Sequence, residues 1–114
     1  MALSRGEIWL VNLDPTIGDE IRKVRPAVIV SRDATGVLAL RVVVPITGWQ
    51  ERFRGCDWLV RLDSDNSNGL DKASAADTFQ VRSIATRRFV RLLGHLSSSD
   101  LERIALGLRI VLEL

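Results

Sequence analysis

Seven consecutive residues, Asp19-Glu20-Ile21-Arg22-Lys23-Val24-Arg25, carry two acids and three bases. Carboxylates so placed can move protons, and an arginine fork can hold a phosphate or the charge that builds on one. The run follows Asp14-Pro15-Thr16-Ile17-Gly18, which is turn chemistry, and leads directly into Arg25-Pro26. A loop that concentrates charge between two strands is more often a site than a plain connector. The same composition also describes a solvated hairpin tip, and the run alone fits both readings.

Other chemistry finds little support elsewhere in the chain. Neither a GxxxxGK[ST] loop nor a GxGxxG fingerprint occurs, so nucleotide cofactors have no motif. His95 is the sole histidine and has no nucleophile motif beside it, which rules out two-histidine acid–base chemistry on RNA. Cys56 is alone, so no internal disulfide forms and a zinc site is disfavoured. No His, Cys and carboxylate cluster has metal-ligand spacing, and no metal or cofactor is expected. Asp63-Ser64-Asp65-Asn66-Ser67-Asn68-Gly69 looks briefly like a calcium loop. It lacks the twelve-residue spacing and the closing Glu, and reads as a turn. The remaining candidates are the charged loop, the end of the Val-rich strand that follows it, and the polar face of Thr78–Ile84.

The elements that must position these residues follow from periodicity. Glu7–Leu13 reads as a strand, with Ile8 and Leu10 alternating against Trp9 and Val11. Ala27–Ser31 and Leu38–Pro45 are β-branched strands, the second running on through Ile46-Thr47-Gly48, with a short loop at Arg32–Gly36 between them. Trp49–Gly55 is a polar, aromatic and basic loop, and Trp58–Leu62 is a strand that buries Trp58 as Glu7–Leu13 buries Trp9. Thr78–Ile84 alternates with period two and predicts a strand with Phe79 and Val81 on one face and Gln80, Arg82 and Ile84 on the other. Phe89–Leu96 is a further strand. Leu101, Ile104, Ala105, Leu108, Val111 and Leu112 then fall at helical spacing, with Ser97 and Asp100 as a capping pair, predicting a helix over Ser98–Leu112. Short strands, tight turns and one terminal helix give a mainly β fold, a small antiparallel barrel. Apolar residues to the end of the helix suggest a partner subunit.

The 114 residues suit one domain, 1–114, with 46% hydrophobic and 26% charged residues and a net charge of +2. No run of about 18 apolar residues occurs, so no membrane-spanning helix is expected. The N-terminus lacks an export pattern, which points to the cytoplasm. Of sixteen basic residues only Lys23 and Lys72 are lysine. Arginine suits phosphates and base edges, a modest argument for a nucleic-acid partner.

Five segments in order carry a resemblance: Arg5–Glu20 (RGEIWLVNLDPTIGDE), Arg25–Ser31 (RPAVIVS), Val42–Thr47 (VVVPIT), Gly69–Ser74 (GLDKAS) and Phe79–Ile84 (FQVRSI). Together they resemble the MazF/PemK toxins of bacterial toxin–antitoxin systems, across essentially the whole chain. The resemblance implies an SH3-like half-open barrel with a C-terminal helix, assembled as a homodimer. It implies a metal-independent, sequence-specific endoribonuclease that cuts single-stranded RNA by 2′-hydroxyl attack, leaving 2′,3′-cyclic phosphate and 5′-hydroxyl ends. A cognate MazE-like antitoxin with an acidic segment would occupy the RNA groove. Residue by residue, the resemblance assigns Arg25 and Thr47 as the catalytic pair and Glu20 as a base or loop anchor. The side chains expected to meet substrate are Arg22, Lys23, Trp49, Gln80 and Arg82. Arg25 suits electrostatic stabilisation better than proton abstraction, because its pKa lies above about 12. An ion pair to Asp19 or Glu20 is the plain structural role for Arg25, and a backbone hydrogen bond is the one for Thr47. Phe79 departs from the family pattern, which often carries an acid there. Gly18–Val24 reads as a mobile gate over the groove. A gyrase-poisoning toxin or a non-catalytic binding module on the same barrel are the competing readings; the R-P and P-I-T motifs favour the nuclease.

Overall fold

The computed structural model describes residues 2–33 and 37–114. Its strands are β1 (Glu7–Asn12), β2 (Val24–Ile29), β3 (Leu40–Gly48), β4 (Leu59–Leu62), β5 (Ser74–Asp77), β6 (Arg82–Ala85) and β7 (Phe89–His95), and one helix follows, α1 (Ser98–Leu112). The sheet runs β4-β5-β3-β2-β1-β7, with β6 also paired to β3, and every pairing is antiparallel. The two ends of this order, β4 and β7, do not pair, so the barrel is half open. Part of the expected Arg32–Gly36 loop, Ala34 to Gly36, lies outside the described residues.

β1, β2 and β3 are buried on both faces, which explains their near-continuous Val and Ile runs. One face carries Ile8, Val28, Val44 and Ile46 against Val60, Leu62 and Ile104 of α1. The other carries Trp9, Val11, Ala27, Ile29 and Val43 against Leu3, Ile84 and Phe89. Trp9 and Phe89 meet edge to face at 5.9 Å. The helix begins as expected: the Ser97 hydroxyl accepts the Asp100 N–H at 3.2 Å. The Asp100 carboxylate does not return the bond and instead pairs with Arg103 at 3.0 Å.

Two expectations are corrected. Thr78–Ile84 is not one alternating strand. β5 ends at Asp77, a single 3-10 turn covers Thr78–Gln80, and β6 begins at Arg82. The break is made by side chains: the Asp77 carboxylate accepts the Phe79 N–H at 3.1 Å, and the Thr78 hydroxyl donates to the Trp58 carbonyl at 2.7 Å. Phe79 is exposed and Ile84 buried, and the two-faced alternation expected over this stretch does not form. Trp58 precedes β4 rather than lying within it and is 38% exposed, its ring set edge-on to Phe79 at 5.9 Å. The strand Ser74–Asp77, unremarked in the sequence, has small buried residues because it sits between β3 and β4 under the core.

α1 approaches the 3-10 turn so closely that Gly107 has no room for a side chain: a Cβ there would stand 2.9 Å from Thr78 Cγ2. Helical glycine normally gains about 1 kcal/mol on change to alanine. Gly107→Ala should instead lose about 1–2 kcal/mol, because overpacking costs about 1–3, and Thr78→Ser in the same chain should recover part of it by removing the clashing methyl. Urea unfolding of the native protein and these two variants measures this.

Candidate active site

β2 and β3 pair at Ala27↔Pro45, Val28↔Val44 and Ile29↔Val43. Extending that register two residues sets Arg25 opposite Thr47 on one face. The β2 ladder stops short of them at Ala27↔Pro45, while on its other edge β3 continues, with Ile46, Thr47 and Gly48 paired to Ala76, Ala75 and Ser74 of β5. Pro26 and Pro45 stand where the strands part, and neither has an N–H to donate. A cleft of about 480 Å³ occupies the gap. Its apolar floor includes Leu10, Pro26, Ile46, Leu70 and Leu93. Its polar lining includes Arg25, Thr47, Ser74, Lys72 and Arg91, with Asp71 as the one carboxylate.

Arg25 is exposed, and its Nε donates to the Arg22 carbonyl at 3.2 Å. Among the described residues it forms no ion pair with Asp19, Glu20 or any other acid, and the Thr47 hydroxyl makes no hydrogen bond. The plain structural roles for both are thus unfilled. Lys72 lies beside them: a Cβ on Gly48 would touch its Cε and Nζ, each at 3.3 Å. The wall that carries Lys72 is docked on β7 backbone to backbone. His95 N–H donates to the Ser67 carbonyl at 2.9 Å, and side chains at Gly69 or Gly94 would meet the Leu93 and Ser67 carbonyl oxygens at 2.2 Å. The turn before it is self-contained. Asp65 accepts the Ser67 and Asn68 N–H groups, and buried Asn68 accepts those of Asp65 and Leu70.

The β1–β2 loop is tied at both ends. At its base the Leu13 N–H meets the Lys23 carbonyl at 2.9 Å, and Lys23 takes a left-handed conformation at φ 70°. Asp14 accepts the Lys23 N–H at 3.1 Å; Arg82 and Arg88 donate to the carbonyls of Leu13 and Asn12 at 3.1 and 3.0 Å. At its tip the Gln80 amide accepts the Ile21 N–H at 2.5 Å and donates to the Asp19 carbonyl at 3.1 Å and to Asp77 at 3.3 Å. The segment expected as a mobile gate is therefore latched.

The predicted site residues consequently divide. Arg25 and Thr47 share the cleft, with Arg22 and Lys23 exposed on the loop beside it. Glu20, Gln80 and Arg82 line a separate cavity of about 330 Å³ with Pro45 and Phe79. The Glu20 carboxylate accepts the Ile17 N–H at 2.5 Å, which makes it an anchor of its own turn. Gln80 and Arg82 both hold the loop, Gln80 through its amide and Arg82 through one guanidinium N–H. Trp49 is half-buried, in a T-shaped contact with Phe53 at 5.8 Å and with the Arg61 guanidinium 5.1 Å from its ring centre. Sequence reasoning missed Lys72 and Arg91 as cleft residues. Lys72 lay inside a quoted motif without a role, and Arg91 needs the β1–β7 register to be placed.

Comparison with known proteins places this half-open antiparallel barrel, with its terminal helix and cation-lined cleft. The chain matches the family described as PemK-like, MazF-like toxin of type II toxin–antitoxin system over residues 4–112, and it belongs to that family. It is 36% identical to Endoribonuclease MazF9 of Mycobacterium tuberculosis over 98% of each chain. It is also 36% identical to Endoribonuclease PemK of Escherichia coli over 79% of this chain and 70% of that one. Among solved structures, MazF of Deinococcus radiodurans superposes with a TM-score of 0.84 at 23% identity, covering 100% of this chain and 99% of the other, which bears out the half-open fold.

Two outcomes test the latch. Gln80→Ala should release the loop tip and raise hydrogen exchange at Ile21 while leaving the cleft floor protected. Burial raises the Asp77 pKa above its ordinary 3.8, against the opposing hydrogen bonds from Phe79 and Gln80. The folded state therefore holds that proton more tightly than the unfolded chain, and the stability this contributes is lost as pH rises through the window above 3.8. Relative to Asp77→Asn, the native protein should lose melting temperature across that window and hold a constant offset above it.

Proposed function

We propose that this chain is a metal-independent, sequence-specific endoribonuclease toxin that cuts single-stranded RNA at the Arg25–Thr47 cleft. The observation that carries the reading is the placement of these two side chains across the parted β2–β3 ladder, with no ion pair to Arg25 and no hydrogen bond to the Thr47 hydroxyl among the described residues. Family membership and relatives named endoribonucleases support it. The ribose 2′-oxygen attacks the adjacent phosphorus, the bond to the 5′-oxygen breaks, and the products are a 2′,3′-cyclic phosphate and a 5′-hydroxyl. The 2′-hydroxyl loses a proton and the departing 5′-oxygen gains one. Arg25 directs its free guanidinium N–H groups at the two non-bridging oxygens as charge builds there. Thr47 donates to one of those oxygens or orients the 2′-hydroxyl. Asp71 borders this cleft and is a better-placed candidate for proton acceptor than Glu20, which faces the neighbouring cavity.

The same reading gives the chain a cytoplasmic setting, a homodimeric state and a MazE-like antitoxin that masks the cleft. One solved relative, 19% identical with a TM-score of 0.75, is described as an endoribonuclease in complex with its cognate antitoxin from a mycobacterial species. Leu106 and Ile110, four residues apart on one face of α1, are each about half exposed, a patch that a second subunit would cover.

Purified protein should cleave a mixed-sequence fluorogenic RNA in EDTA and leave cyclic phosphate ends. Arg25→Ala should lower the rate by 10²-fold or more, the loss of about 3–4 kcal/mol of transition-state stabilisation, with an unchanged melting curve. Intact RNA with the native protein, or full activity in Arg25→Ala, overturns the reading. Mapping the cut ends gives the recognition sequence.

A further inference from the structure

The proposed reaction needs one phosphate between Arg25 and Thr47, yet two further cations stand around the same floor. Arg91 on β7 is opposite Leu10 of β1, which is opposite Pro26 of β2. The three form a row across one face, so Arg91 stands two interstrand spacings from Pro26, about 10 Å. Lys72 approaches from the third side, over Gly48. Neither Arg91 nor Lys72 has an acid within ion-pair distance among the described residues, although Asp71 borders the cleft with them. Unpaired cations set around a low-dielectric floor focus a field on whatever anion enters.

We propose that Arg91 and Lys72 form a second anion subsite that holds a non-scissile phosphate flanking the one at Arg25; the proposal rests on the nuclease reading above. An arginine fork can take two non-bridging oxygens and the lysine a third contact as a point charge. The floor between them, Leu10, Leu70 and Leu93, accommodates a ribose or base without competing for the charge. The row of strands fixes the distance between the subsites, so it selects an extended single strand. The subsite reads backbone and not sequence. Because it grips a phosphate that does not react, it binds substrate and transition state alike, and its loss should appear in KM rather than kcat.

The test uses two measurements on the full chain. Binding of a short mixed-sequence 2′-O-methyl RNA, which cannot be cut, is followed by fluorescence anisotropy from low to moderate salt. Arg91→Ala and Lys72→Ala should each weaken binding several-fold and flatten the dependence of log Kd on log salt by about 0.7 per lost contact. Arg91→Lys should restore most of the slope. On the fluorogenic RNA, Arg91→Ala should raise KM with kcat within twofold. Native affinity and slope in Arg91→Ala, a fall in kcat at constant KM, or no measurable RNA binding by the native chain overturns the subsite. The binding arm does not require cleavage, so a nuclease failure and a subsite failure remain distinct.

Discussion

β3 carries partners on both edges, and its two ladders do not end together. On one edge it pairs with β2 only as far as Ala27↔Pro45; on the other it pairs with β6 over Leu40–Val43 and then with β5 as far as Gly48. A β2 ladder two residues longer would bring Arg25 and Thr47 together as an ordinary cross-strand pair. Because that ladder stops, the pair lines an open seam instead, and Pro26 has no N–H to offer there. The cleft and its apolar floor lie at that divergence.

The seam functions only if its walls hold still, and each wall is held differently. The β1–β2 side is tied by side chains reaching to main-chain carbonyls and N–H groups, with Gln80, Arg82 and Arg88 bridging to it from distant parts of the chain. These bonds are directional but exposed to competition from water. The opposite side is held by direct contact between the turn at Ser67–Gly69 and the end of β7, with two glycines permitting the approach. One wall can open by exchanging hydrogen bonds. The other can move only if backbone moves with it.

Much of this was legible in the sequence. The β-branched runs of β2 and β3, the α1 helix with its Ser97 cap, and the turn at Asp63–Gly69 all rest on local signals, and all are present. The family resemblance rested on motifs spread over the chain and drew Arg25 and Thr47 from two of them. What sequence could not supply was tertiary competition. Period two across Thr78–Ile84 is a strand signal, but Asp77 and Thr78 hydrogen-bond in ways that interrupt it. The family resemblance assigned Glu20 and Gln80 to the site. Their side chains are engaged by backbone groups of the β1–β2 loop, a fact of folding rather than of residue type. Arg91 carried no local signal at all, since its importance lies in which residue of β1 it faces.

The mutual approach of Gly69 and Gly94 has a consequence for how such a protein can diversify. Any side chain at either position meets a carbonyl oxygen, so both are closed to substitution, and the main-chain spacing between the turn and β7 is closed with them. The side chains that this wall presents to the cleft at positions 70 to 72, and that β7 presents at 91, carry no such restriction. New target preferences on this scaffold would therefore arise by repainting a fixed surface, and descendants could differ widely in what they accept while their backbones stay superimposable there.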